Sequence, residues 1–204
     1  MGGNPRRNVG FTASNRGGGE PCTQARMPTS SVANVVSACQ QGDRRAQRAL
    51  YDEFHRQVYR LATRMVGQDD ADDLSQQIFL QVFQKIDQFE GRSLFSTWLY
   101  RLATNECLQH LRSRAKKTVV TLAQQSLDAS SLKSPLLDNS ELLQTALDRL
   151  EPDLRSIFLL REIEELTYSE LSEALQISEG TVASRLNRAR MQLRQHLVDF
   201  GWEP

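Results

Sequence analysis

The sequence predicts an all-α protein made of two small helical domains joined by a flexible linker. Apolar residues recur at three- and four-residue steps through most of the span from 32 to 198, which is the spacing of one buried helix face. That period is lost from Thr118 to Asn139, a Ser-rich stretch holding Gln124-Gln125 and Pro135, too long for a loop inside a compact domain. Helix-start residues (Asp43, Ser93, Thr167, Ser178) stand just ahead of the periodic runs. A length of 204 residues suits one domain or two small ones. The expected boundaries are a tail over 1–30, a first domain over 31–115, a linker over 116–139 and a second domain over 140–204.

Residues 1–30 are rich in Gly, Asn, Arg and Ser and nearly free of apolar side chains, so they cannot offset the entropy of ordering. Met27 is an alternative translation start to Met1. Val32, Val35, Val36 and Cys39 mark a first helix, ended by Gln41-Gly42-Asp43. Ala46, Leu50, Phe54, Val58, Leu61, Ala62 and Met65 mark a second, closed by Gly67, with Arg56, Arg60 and Arg64 along a polar row expected to face solvent. A third helix opens on Asp69, Asp70, Asp72 and Asp73, where carboxylates suit the positive end of the helix dipole. Leu74, Ile78, Val82 and Ile86 form its stripe. A Gly-containing loop, Asp87–Arg92, leads to Ser93 as N-cap of a fourth helix running from Leu94 into Arg112, Arg114, Lys116 and Lys117.

From Glu141 the period returns. Leu142, Leu143, Ala146, Leu147 and Leu150 mark one helix, stopped near Glu151-Pro152. Leu154, Ile157, Phe158, Leu160 and Ile163 mark the next. Thr167 with Glu170 reads as a capping box. After the turn Gln176-Ile177, Ser178 starts a last helix with Val182, Leu186, Ala189, Leu193 and Leu197 inward and Ser184, Arg185, Asn187, Arg188, Arg190 and Arg194 on its other faces.

Charge is balanced overall, with 25 basic and 25 acidic residues, so no global field draws the chain to DNA or an anionic membrane. Locally it is uneven. Asp69 to Glu90 sets six acids against Lys85 alone, and Arg92 to Lys117 sets six bases against Glu106 alone. An acidic helix, an aromatic turn and a basic helix in succession suggest a protein partner on one side and a nucleic acid on the other. Thr167 to Arg190 has the dimensions of a helix-turn-helix, whose exposed arginines can bridge guanine edges while neighbours hold phosphates. Glu162, Glu164 and Glu165, just upstream, are expected to face away from DNA, since phosphates would repel them.

Other chemistries lack a constellation. The sequence holds no Gly-rich phosphate loop, nucleophile elbow or paired catalytic carboxylates, so no catalytic residues and no enzyme activity are expected. His55, His110 and His196 lack ligand spacing, so neither a metal nor a cofactor is expected. Cys22, Cys39 and Cys107 show no CxxC spacing, which argues against a disulfide framework and for a reducing compartment. Cys107 lies on the apolar side of its helix and is expected in the core. No apolar run of about eighteen residues predicts a membrane span, and no secretion signal is evident.

Several segments resemble bacterial sigma factors of the extracytoplasmic-function (ECF) group of the sigma-70 family. Leu150–Arg155, Leu166–Leu171 and Gly180–Arg190 are similar to region 4, and Asp72–Phe79 and Phe95–Asn105 to region 2. Gln41-Gly42-Asp43, with Ala46 and Tyr51, resembles the first helix of that region. The resemblance implies a subunit that directs core RNA polymerase to promoters and helps melt them, acting in the cytoplasm and restrained by an anti-sigma factor. Asp72, Asp73, Gln76 and Gln77 would dock on the polymerase clamp helices. Many relatives carry Gln-Glu where Gln76-Gln77 stand, so one charge is missing.

By the same resemblance, Phe89, Glu90, Gly91, Arg92 and Ser93 would hold a base flipped from the single-stranded −10 element, flanked by Trp98, Arg101 and Asn105. Phe89 is assigned there because a loop phenylalanine has less packing reason. Ala183, Ser184, Asn187 and Arg188 would face base edges of the double-stranded −35 element, with Thr181, Arg185 and Arg190 nearer the phosphates. Many relatives have Lys or Arg at the position of Ala183, which points to a departure in promoter preference. The alternative reading is a free-standing helix-turn-helix regulator that does not bind polymerase. It leaves the acidic helix beside a base-holding loop without a purpose.

Overall fold

The computed structural model describes residues 29–122 and 139–202. The expected tail up to residue 28 and the linker from 123 to 138 lie outside the described residues. Among the described residues the regular structure is helical throughout. The first unit comprises α1 (Thr29–Gln40), α2 (Arg44–Val66), α3 (Gln68–Lys85) with a 3-10 turn at Ile86–Gln88, and α4 (Phe95–Leu122). The second comprises α5 (Asn139–Asp148), α6 (Pro152–Glu162), α7 (Tyr168–Leu175) and α8 (Glu179–Asp199).

Capping explains several boundaries. Asp43 accepts the Arg45 N–H at 2.7 Å and starts α2. Gly67 alone separates α2 from α3, at φ 92°, a conformation that favours glycine. Pro152 opens α6 at the first helical position, where its missing N–H leaves no bond unmade. Thr167 and Glu170 form both bonds of the capping box, and Gln176 ends α7 in the left-handed region. Thr167→Ala should lower stability by about 1 kcal/mol, read as a lower urea midpoint at unchanged slope. An unchanged midpoint would show that the cap contributes nothing.

Two helix limits differ from expectation. α4 starts at Phe95, and the Leu94 carbonyl accepts the Trp98 N–H at 3.2 Å, so Leu94 rather than Ser93 flanks the helix. Its other end reaches Leu122, inside the expected linker, because no Gly or Pro interrupts the sequence between Arg112 and Leu122.

The expected stripes are buried: Leu50, Val58, Leu61 and Met65 on α2, Leu74, Ile78 and Val82 on α3, Phe95 and Leu99 on α4, and Val182, Leu186, Ala189 and Leu193 on α8. Cys107 is buried too, and desolvation, with Glu106 nearby, pushes its thiol up to about 12, so it packs as a small neutral side chain. The core is continuous across both units. α7 lies on α4, and α6 lies on α2 and α4. The polar row of α2 is therefore not wholly solvated, because Arg60 donates to Glu164 from the second unit.

Candidate nucleic-acid and protein interfaces

Three surfaces carry the residues singled out by sequence. The outer face of α3 exposes Asp72, Asp73, Gln76 and Gln77. Among the described residues neither Asp72 nor Asp73 has an ion-pair partner. Gln77 lies 3.5 Å from Glu106 of α4. Asp70 turns instead toward α4, where it meets His110 at 3.1 Å and Arg114 at 3.0 Å. His110 is thus a structural partner rather than an isolated histidine, and Arg114 spends part of its charge inside the fold. Leu80, one turn beyond Gln76 and Gln77, is exposed at 63%. Sequence reasoning missed it, although it falls off the inward Leu74–Ile78–Val82 register.

The second surface is the loop between the 3-10 turn and α4. Glu90, Gly91 and Arg92 are exposed at its tip, Gly91 at φ 71°, and Ser93 is half-buried. Glu90 and Arg92 pair at 2.5 Å. Phe89 does have packing partners, contrary to expectation: its ring meets Phe95 and Trp98, each at 5.5 Å between centroids. The loop is anchored from behind by Gln40 of α1, whose side-chain amide donates to the Ile86 and Phe89 carbonyls, both at 2.9 Å. Nothing in the local sequence signals that role, because the bond spans more than forty residues. Trp98, Arg101 and Asn105 follow at i, i+3 and i+7 along α4, with Arg101 and Asn105 exposed and Trp98 half-buried. An aromatic platform, a short loop tip and a cation on one helical edge can stack and hydrogen-bond an unpaired base.

The third surface is α8. Ser178 accepts the Thr181 N–H at 3.2 Å and starts the helix. Ala183, Ser184, Asn187 and Arg188 are exposed and fall on one face, while Thr181 and Arg185 are half-buried beside it. Two arginines are already engaged. Arg188 reaches Glu151 at 3.3 Å, and Arg190 grips Glu162 at 2.6 and 3.1 Å. The hydrogen bonds Arg190 donates to Glu162 hold its guanidinium above its usual value. The three acids upstream of the motif thus divide. Glu162 turns onto the recognition helix, and Glu164 is buried against the first unit.

Residues 50–117 match the Sigma-70 region 2 model and residues 140–193 the Sigma-70 region 4 model. The ECF RNA polymerase sigma-E factor of Haemophilus influenzae is 30% identical over 176 residues, covering 80% of this chain and 93% of that protein. The chain belongs to the ECF sigma factors. Another relative, the ECF RNA polymerase sigma factor SigE of Mycolicibacterium smegmatis, is 38% identical over 75% of this chain and 63% of its own length. In fold, the sigma factor RpoE of Bartonella quintana, solved with the anti-sigma factor NepR, is similar at a TM-score of 0.61 and 22% identity, covering 74% of this chain and 95% of that one. This sigma factor therefore directs core RNA polymerase to promoters and assists their opening, with the first unit as region 2 and the second as region 4. Among the described residues no helix is long and apolar enough to cross a membrane.

Proposed function

We propose that the three surfaces divide the work of initiation among named residues. Asp72, Asp73, Gln76 and Gln77 dock on the clamp helices of the polymerase largest subunit, with Leu80 as an apolar contact one turn beyond them. Phe89 to Ser93, with Trp98, Arg101 and Asn105, captures an unpaired base of the −10 element. Ala183, Ser184, Asn187 and Arg188 read −35 base edges, and Thr181, Arg185 and Arg190 hold the phosphates. The protein contributes binding rather than chemistry, works in the cytoplasm beside polymerase, and is held in check by an anti-sigma factor. The observation that carries this reading is the anchored loop. Its tip is exposed beside the Phe89–Phe95–Trp98 cluster, and the Arg101–Asn105 edge adjoins it.

Extruding a base costs a few kcal/mol, and that cost vanishes on a template already open. Phe89→Ala should therefore impair transcription from duplex promoters by about tenfold while sparing pre-melted ones. Equal losses on both templates would remove Phe89 from base capture.

Glu162 adds a second expectation. In the free protein Arg190 must exchange a carboxylate for a phosphate. Glu162→Gln should tighten non-specific DNA binding, and Arg190→Ala should lower its salt dependence by roughly 0.9 in log–log slope. An unchanged slope would show that Arg190 does not reach the backbone.

A further inference from the structure

The loop before α4 has little backbone support of its own. From Glu90 to Ser93 no backbone group is hydrogen-bonded to another backbone group among the described residues. Gly91 stands at φ 71°, a conformation reached through glycine's freedom. The Glu90–Arg92 pair joins side chains 60% and 85% exposed, so it restrains the tip weakly.

The tie comes from another helix. Gln40, the last residue of α1, spends both hydrogens of its side-chain amide on carbonyls, donating to Ile86 and to Phe89 at 2.9 Å each. The Ile86 carbonyl also accepts the Phe89 N–H at 3.0 Å, so the amide joins a turn that is already closed. Holding the Phe89 carbonyl fixes the plane of the Phe89–Glu90 peptide. That plane sets the direction in which Glu90 leaves and the place from which the Phe89 ring reaches Phe95 and Trp98.

The donor is itself held. Its neighbour Cys39 is buried in the core. On the other side Gly42 turns the chain at φ 82°, the Asp43 N–H donates to the Ala38 carbonyl at 3.1 Å, and the Asp43 side chain caps α2. Gln40 therefore has its backbone fixed between two helices, and only side-chain rotations are lost in reaching the loop.

We propose that Gln40 is a positioning residue for base capture: its amide holds the Phe89–Ser93 loop in the shape that receives an unpaired base, without touching the base. A loop drawn from many shapes binds more weakly by the fraction that is competent, and the tie raises that fraction before DNA arrives. This role rests on the proposed assignment of the loop to the −10 element, whichever of its side chains meets the base.

Gln40→Met keeps the length and the apolar stem without the donor, and Gln40→Glu sets a carboxylate against two carbonyls. Both are made in the full chain carrying Trp202→Phe, where Trp98 is the sole tryptophan. With 5-fluorotryptophan at Trp98, each should shift the fluorine resonance of the free protein at unchanged helical content. Affinity for core polymerase should stay the same. Opening of duplex promoters should fall by about tenfold, while transcription from pre-melted templates is kept. Combined with Phe89→Ala, Gln40→Met should give a total loss of about tenfold, not the roughly hundredfold product expected of independent sites. An unmoved fluorine resonance in both variants, or multiplicative losses in the combined one, would overturn the positioning role. So would a loss in Phe89→Ala with none in Gln40→Met, which leaves base capture standing. Duplex promoters unaffected by Phe89→Ala would instead remove base capture, and this role with it.

Discussion

Replacing Asp72 and Asp73 with lysine should abolish binding to core polymerase while leaving the helical content intact. Both carboxylates are exposed on the outer face of α3, and neither has an ion-pair partner among the described residues, so their loss breaks nothing inside the fold. The first turn of α3 keeps Asp69 and Asp70, which continue to complement the helix dipole. Asp70 also keeps its contacts with His110 and Arg114. On the proposed docking face the change sets two positive charges where a partner complementary to carboxylates would meet them. Such juxtapositions cost several kcal/mol, a loss of about 100-fold or more in affinity. Because Gln76 and Gln77 are uncharged, the proposed docking puts the attraction on the two aspartates, and added salt should weaken wild-type binding measurably. A double variant that kept full affinity would refute the docking assignment.

Arg188→Ala should relax recognition at one position of the −35 element by about 1–3 kcal/mol and leave other positions nearly unchanged. In the free protein the Arg188 partner is Glu151, and both side chains are more than half exposed, so the pair adds little to stability. The loss should thus appear in promoter discrimination, measured across a set of single-base variants, and not in the melting curve. Arg188→Lys keeps the charge without the two-pronged donor geometry, and should retain general affinity while losing most of the discrimination. Uniform weakening on every sequence would assign Arg188 to the phosphates.

Helices, caps and stripes were legible because each rests on local chemistry: three- and four-residue spacing, a side-chain oxygen ahead of a helix, a glycine at positive φ. The exposure of the faces assigned to binding was legible for the same reason, since Asp72, Gln76, Asn187 and Arg188 fall off the buried stripes. What the sequence hid was contact between distant segments. Gln40 holding the loop before α4, Arg60 pairing with Glu164 and Arg155 capping α2 link residues from forty to more than a hundred positions apart. No local pattern encodes such pairs. Phe89 illustrates the opposite error: its place in a loop suggested less reason to pack, but Phe95 and Trp98 lie in the first turn of the adjoining helix and close on it. Glu162 was expected to face away from DNA because phosphates repel carboxylates. In the free protein the nearer charge is Arg190, and that attraction decides its position.

The most direct test is transcription by purified core polymerase, freed of every other initiation subunit, with and without this protein on a genomic template. The account predicts new, discrete start sites that appear only when the protein is added, preceded by two shared sequence elements, and lost in the Asp72→Lys, Asp73→Lys variant. Transcripts unaffected by the protein, alongside sequence-specific binding to duplex DNA by the protein alone, would contradict it.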